Sequence, residues 1–256
     1  MKNRVKGNWV VITGATAGIG KATAWEFGEL ESNLVLTGRR EDRLAELKKE
    51  LEETYPIQVQ TNSFDIRDRD ACRDFVDSLE QPIDILVNNA GLALGKDPVY
   101  EANFEDWDTM IDTNVKGLLS MTRLISEKMK ERDRGHIINL GSTASHTGYA
   151  GGSVYCATKH AVKAITEATK KDLHGTSVRV SMVSPGAVET EFSKVRFKGD
   201  EERADEVYEG MQPLTPQDIA EIIVFVANRP RHVNIIDTVI YAVNQSSATM
   251  IYRDDE

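Results

Sequence analysis

Short apolar runs alternate with amphipathic stretches from one end of the chain to the other. Runs beginning at Trp9, Leu34, Ile57, Ile83, His136, Val178 and Thr238 predict seven strands, ending at Thr13, Thr37, Phe64, Val87, Leu140, Val183 and Val243. Between them the apolar positions recur at helical spacing. Helices are predicted over Ile19–Leu30, Glu41–Thr54, Arg67–Leu79, Asn103–Lys130 and Gly152–Leu173, with a last one from the cap Thr215-Pro216 to about Asn228. Most of these strands are apolar throughout and do not alternate with polar residues, so both faces must be covered. Strands that alternate with helices and are buried on both faces predict a parallel sheet with helices on either side, the doubly wound α/β Rossmann arrangement. No linker-like stretch, composition break or internal repeat interrupts the pattern, so residues 1–256 form one domain. The segment 186–210 is irregular and strongly charged, follows a strand, and is a candidate lid.

Composition narrows the classes. Hydrophobic residues make up 40% and charged residues 28%, as in an ordinary soluble globular protein. Forty-one acids against 31 bases leave a net charge of −10, which argues against a nucleic-acid or anionic-membrane surface. The two cysteines, Cys72 and Cys156, have no metal-ligating partner set and are too few for a disulfide scaffold. With neither a signal-like N-terminus nor a membrane-length apolar run, the expected compartment is the cytoplasm.

The chemistry concentrates between Ser142 and Lys159. Tyr155 and Lys159 are four residues apart, so on a helix the phenol and the ammonium share a face. A free tyrosine, with a pKa of about 10, is a poor base at neutral pH, and a cation beside it is expected to pull that value down. Ser142 sits where the preceding strand ends, so its hydroxyl can face the same reacting oxygen. Taken alone, the pair reads more readily as a solvent-facing helical couple, and the rest of the chain has to overturn that.

A glycine-rich loop, Thr13-Gly14-Ala15-Thr16-Ala17-Gly18-Ile19-Gly20, joins the first strand to the first helix. Glycines there let the backbone turn tightly against a pyrophosphate whose charge the helix N-terminus stabilises. The second strand ends in Thr37-Gly38-Arg39-Arg40, two cations and no acid at the strand end, which suits the 2′-phosphate of NADP better than the ribose hydroxyl of NAD. A solvated basic helix start is the other reading.

The glycine loop, Asp65-Ile66, Asn88-Asn89-Ala90-Gly91, Asn114, Ser142, Tyr155 with Lys159, and Pro185-Gly186 stand in the order and spacing of the short-chain dehydrogenase/reductases. The resemblance covers essentially the whole chain. The stretches 88–95, 107–114 and 191–200 further resemble the branch of NADP-dependent 3-hydroxy acid dehydrogenases that act on serine, L-allo-threonine and related short acids. This resemblance implies that Tyr155 moves the substrate proton, that Lys159 tunes it and holds the nicotinamide ribose, that Ser142 binds the reacting oxygen, and that Asn114 holds a connecting water. It also implies a coenzyme site built from Gly14, Thr16, Ala17, Gly18, Ile19, Gly20, Arg39, Arg40, Asp65, Ile66, Asn89, Ala90, Gly91, Pro185, Gly186, Val188 and Thr190. Asp65 would accept from the adenine amine.

For a substrate carboxylate, Arg196 and Lys198 in the lid are the available cations, and Tyr149 and Phe192 are candidate pocket walls. Alternative readings are a broad carbonyl or 3-oxoacyl reductase on the same machinery, and a non-catalytic NADP sensor. The small residues Ala157, Ala161, Ala164 and Ala168 along one helix, with the family's habit, point to a homotetramer.

Overall fold

The computed structural model describes residues 2–253. Among them, seven strands form one parallel sheet in the order β3-β2-β1-β4-β5-β6-β7. They are β1 Trp9–Thr13, β2 Asn33–Gly38, β3 Val59–Ser63, β4 Ile85–Asn88, β5 Gly135–Leu140, β6 Val178–Pro185 and β7 Asp237–Ile240. The helices are α1 Gly18–Glu29, α2 Glu41–Thr54, α3 Arg69–Asp77, α4 Phe104–Ile111, α5 Leu118–Glu131, α6 Ser153–Asp172, α7 Glu191–Arg196, α8 Glu201–Asp205 and α9 Pro216–Ala227.

Alternate strand residues serve opposite faces. Val10, Ile12, Leu34 and Leu36 pack with Phe27, Leu47 and Ile223 from α1, α2 and α9. Val11, Val35, Leu86 and Ile137 pack with Phe75, Met121 and Ile125 from α3 and α5. Two apolar layers therefore sandwich the sheet, as the unbroken apolar strands require. Helix starts follow local chemistry. Asp68 and Asn103 cap α3 and α4, and Thr215 with Asp218 forms a reciprocal capping box at α9.

β1 lies between β2 and β4, so the chain reverses its winding there and the carboxyl ends of β1 and β4 diverge into a crevice. The site described below occupies that crevice.

Three expectations change. The single helix expected over 103–130 is interrupted by a π turn, Asp112–Gly117, between α4 and α5. Its cause is close contact on both sides: a Cβ on Gly117 would stand 3.0 Å from the Ile66 side chain, and Asn114 is drawn to the backbone of Leu92. The last strand stops at Ile240, short of Val243. The lid segment is not irregular throughout, because α7 and α8 form within it, capped by Thr190 and Asp200.

Candidate active site

A cavity of about 360 Å³ runs along the carboxyl ends of the strands, from Arg39 and Arg40 at one end to Tyr155 and Lys159 at the other. At its centre the glycine loop is held by β4. The Thr13 hydroxyl accepts from the amides of Asn89 and Ala90, each at 3.0 Å, and Asn89 Nδ2 donates to the carbonyls of Thr13 and Gly14. Gly14 and Gly18 have φ of +67° and +51°, the region that glycine enters without strain. A Cβ on Gly20 would meet the Gly14 carbonyl oxygen at 2.3 Å, so only glycine fits the first turn of α1.

The start of α1 borders the cavity. Ala17 gives it no side-chain cap, and its first turn carries no acid. Its free N–H groups and positive dipole end therefore face the cavity, which is the arrangement a pyrophosphate needs. Thr16, Ile19, Ile66, Pro185, Gly186, Val188 and Thr190 also line this cavity, and its shape and chemistry fit a dinucleotide.

At the inner end α6 presents Tyr155 and Lys159 on one buried face. Ser142, at the end of β5, caps a short 3₁₀ turn, Thr143–Ser145, and accepts from the Ala144 amide at 3.1 Å. Asn114 is buried in the π turn. Its Nδ2 donates to Leu92 O at 2.8 Å and to Thr158 Oγ1 at 3.1 Å, and its Oδ1 accepts from Leu92 N at 2.9 Å. A Cβ on Gly91 would stand 3.2 Å from Asn114 Oδ1 and 3.6 Å from Lys159 Nζ, so Gly91 leaves space beside both groups.

The expected lowering of the Tyr155 pKa is not what the structure shows. Burial, with Tyr149 alongside, pushes the phenol well above its ordinary value, opposed by the Ser142 hydroxyl and by Arg196. The Lys159 ammonium is held by a main-chain oxygen: Nζ donates to Leu140 O at 2.8 Å, and burial lowers the lysine's own pKa to about 8. Helical spacing put the pair on one face correctly, but it carried no information about the carbonyl that takes the ammonium.

The outer end also departs from expectation. Arg39 is exposed at the cavity rim. Arg40 donates through Nε and Nη2 to Thr16 Oγ1. It also pairs with Glu191 Oε2 at 2.9 Å, while Arg43 pairs with Glu191 Oε1 at 2.8 Å. The arginines therefore do have an acid beside them. It comes from the lid, about 150 residues away in sequence. Asp65 lines the cavity too, but Arg67 embraces its carboxylate and holds it below the usual carboxylate range.

The lid lies across both ends. A Cβ on Gly18 would meet Thr190 at 3.3 Å, so the cap of α7 rests on the glycine loop. At the other end of α7, Arg196 donates through Nε to Gly95 O at 3.0 Å and through Nη1 to Tyr149 OH at 3.3 Å. Its guanidinium stands 5.7 and 5.8 Å from the ring centres of Tyr149 and Tyr155, and Phe192 meets Tyr155 edge-on at 5.7 Å. Among the described residues, Arg196 Nη2 is buried without a partner. These groups border a second cavity of about 400 Å³ that opens beside Tyr155 and Ser142. Lys198 does not border this cavity, and its ammonium pairs with Asp106 at 2.8 Å.

The family model for short chain dehydrogenases matches residues 8–201. The NADP-dependent 3-hydroxy acid dehydrogenase YdfG of Salmonella typhi is 51% identical over 243 residues, 93% of this chain and 96% of that protein. The chain belongs to the short-chain dehydrogenase family. The NADP-dependent 3-hydroxy acid dehydrogenase of Schizosaccharomyces pombe is 44% identical over 98% of both chains. Among solved structures, the closed form of serine dehydrogenase complexed with NADP+ superposes with a TM-score of 0.90 at 46% identity, covering 96% of this chain and all of that one. Within this short-chain dehydrogenase, sequence reasoning missed Glu191, Arg43, Arg203 and Tyr208. Tyr208 OH lies 2.7 Å from Ser193 Oγ and donates to Val188 O, fixing the lid, and Arg203 stacks on Phe197 at the cavity wall. The charge of the lid was the one signal that pointed toward them.

Proposed function

We propose that the chain is an NADP-dependent dehydrogenase of small 3-hydroxy acids, oxidising the C3 hydroxyl of serine, allo-threonine or 3-hydroxypropionate and reducing the matching 3-oxo acids. Arg196 carries the substrate class. A buried donor without a partner is costly, and the unused Nη2 beside Tyr155 is matched to one oxygen of a carboxylate. Anchored there, a three-carbon acid places its C3 oxygen toward Tyr155 and Ser142.

Bound NADP supplies the hydride acceptor. The glycine loop and the α1 N-terminus would hold its pyrophosphate, Arg39 and Arg40 would serve the 2′-phosphate, and Asn89–Gly91 with Pro185–Gly186 would offer backbone to the rest. Tyr155 exchanges a proton with the substrate oxygen. Because burial keeps the phenol protonated at neutral pH, it is poised as the donor in carbonyl reduction. Oxidation needs the proton to leave first; Ser142 and Arg196 both counteract burial, and Ser142 also stabilises charge on the reacting oxygen. Lys159 stands in the same compartment, ready to turn from Leu140 O toward phenol and ribose.

The 400 Å³ cavity is roomy for serine and supports a second reading, a broad carbonyl reductase. Steady-state kinetics with a panel of 3-hydroxy acids and neutral ketones separates the two. Arg196→Ala should raise KM for serine about 10- to 100-fold, as expected for losing a hydrogen bond to a charged group, and leave KM for neutral carbonyls alone. An unchanged KM for serine ends the hydroxy-acid assignment.

None of the described helices is long and apolar enough to cross a membrane. We place the enzyme in the cytoplasm as a homotetramer. Ala157, Ala164 and Ala168 are exposed on α6, and Val239, Tyr241 and Val243 are exposed at the β7 edge of the sheet. A monomer mass by light scattering would remove the assembly proposal.

A further inference from the structure

The outer end of the coenzyme cavity holds an anion of the protein's own. Glu191 bridges Arg40 at 2.9 Å and Arg43 at 2.8 Å, and all three side chains are about half exposed at the rim. Its carboxyl is held below the usual range by Arg43 and then Arg40, so it is charged at neutral pH. Each Arg40 nitrogen already donates once, Nε and Nη2 to Thr16 and Nη1 to Glu191, which leaves one N–H on each Nη. A dianionic phosphomonoester reaching Arg40 therefore meets both an occupied donor and a like charge.

We propose that Glu191 is a tethered competitor of the coenzyme 2′-phosphate. It occupies Arg40 and Arg43 when that phosphate is absent and yields them when it binds. Arg43 thereby joins Arg40 as a phosphate ligand. Because Glu191 is the first residue of α7, the exchange also unfastens the lid at its outer corner. Thr190 on Gly18, Arg196 on Gly95 and Lys198 on Asp106 are among the attachments that then remain. A coenzyme without the 2′-phosphate leaves the fastening in place. Discrimination between the two coenzymes is set by the difference between phosphate and carboxylate at one arginine pair, and the carboxylate lowers it.

This inference rests on the NADP reading, and the two fail differently. Calorimetric titration with adenosine 2′,5′-bisphosphate and with 5′-AMP probes the outer end alone, without turnover. Wild-type protein should prefer the bisphosphate, and no preference would defeat the NADP reading itself. Glu191→Gln should tighten the bisphosphate about three- to tenfold, the scale of two exposed ion pairs, and leave 5′-AMP unchanged. Arg43→Gln should weaken the bisphosphate and abolish the gain in the double variant. Tryptic cleavage after Lys194 should quicken when the bisphosphate is added to wild type, and should already be fast in Glu191→Gln. Bisphosphate affinity that is unchanged or weaker in Glu191→Gln, with the melting temperature retained, overturns the proposal.

Discussion

Asn114→Ala should destabilise the protein more than a surface polar substitution does, and the size follows from what its amide holds. The side chain donates to Leu92 O and Thr158 Oγ1, accepts from Leu92 N, and is buried. Truncation orphans one N–H and one C=O of the half-buried Leu92. Thr158 keeps a bond, because it donates to Tyr155 O at 2.7 Å. Each buried backbone group left unmade costs about 1–3 kcal/mol, and water entering the vacated space recovers part of it, so we expect about 2–4 kcal/mol. Equilibrium urea unfolding should show this as a lower midpoint with an unchanged slope. Asn114→Asp is the sharper control. Its carboxylate can still accept from Leu92 N but opposes Leu92 O with a second acceptor, so it should cost at least as much as alanine. A loss below about 0.5 kcal/mol for both variants, the range of surface changes, would refute the view that this amide fastens β4 to the π turn.

Two other outcomes are expected. Tyr155→Phe should fold normally and lose turnover by about 10²–10⁴-fold, the usual worth of a positioned acid–base group, and ordinary turnover would remove Tyr155 from the chemistry. Lys159 has its pKa lowered from 10.5 to about 8, so between those values the unfolded chain binds more protons and stability must rise with pH. The penalty for a buried ammonium at neutral pH is about 3 kcal/mol, relieved as pH climbs from 8 toward 10.5. The unfolding free energy of wild type relative to Lys159→Met should therefore grow over that window, and a flat difference would show that the ammonium is better solvated than its burial implies.

The sheet was legible because each apolar run had to be covered on both faces, and no other packing serves seven of them in alternation with helices. The glycine loop was legible because its position between β1 and α1 gives those glycines a task. Individual partners were not. Lys159 and Tyr155 were placed together by helical spacing, yet the Leu140 carbonyl that captures the ammonium lies 19 residues back, at a strand end. Glu191 looked like one charge among many in a lid, and only folding brings it to Arg40 and Arg43. The π turn was hidden as well, since it follows from contacts of Gly117 and Asn114 with separate loops and not from any local breaker.

Glu191 and Arg196 open and close a single helix of six residues, about 7.5 Å apart along its axis. On the roles proposed for Glu191 and Arg196, one end would answer to the coenzyme and the other would stand over the substrate pocket. So short a rod could not shift at one tip without moving the other, and the grip on the acid would then depend on which dinucleotide had already arrived.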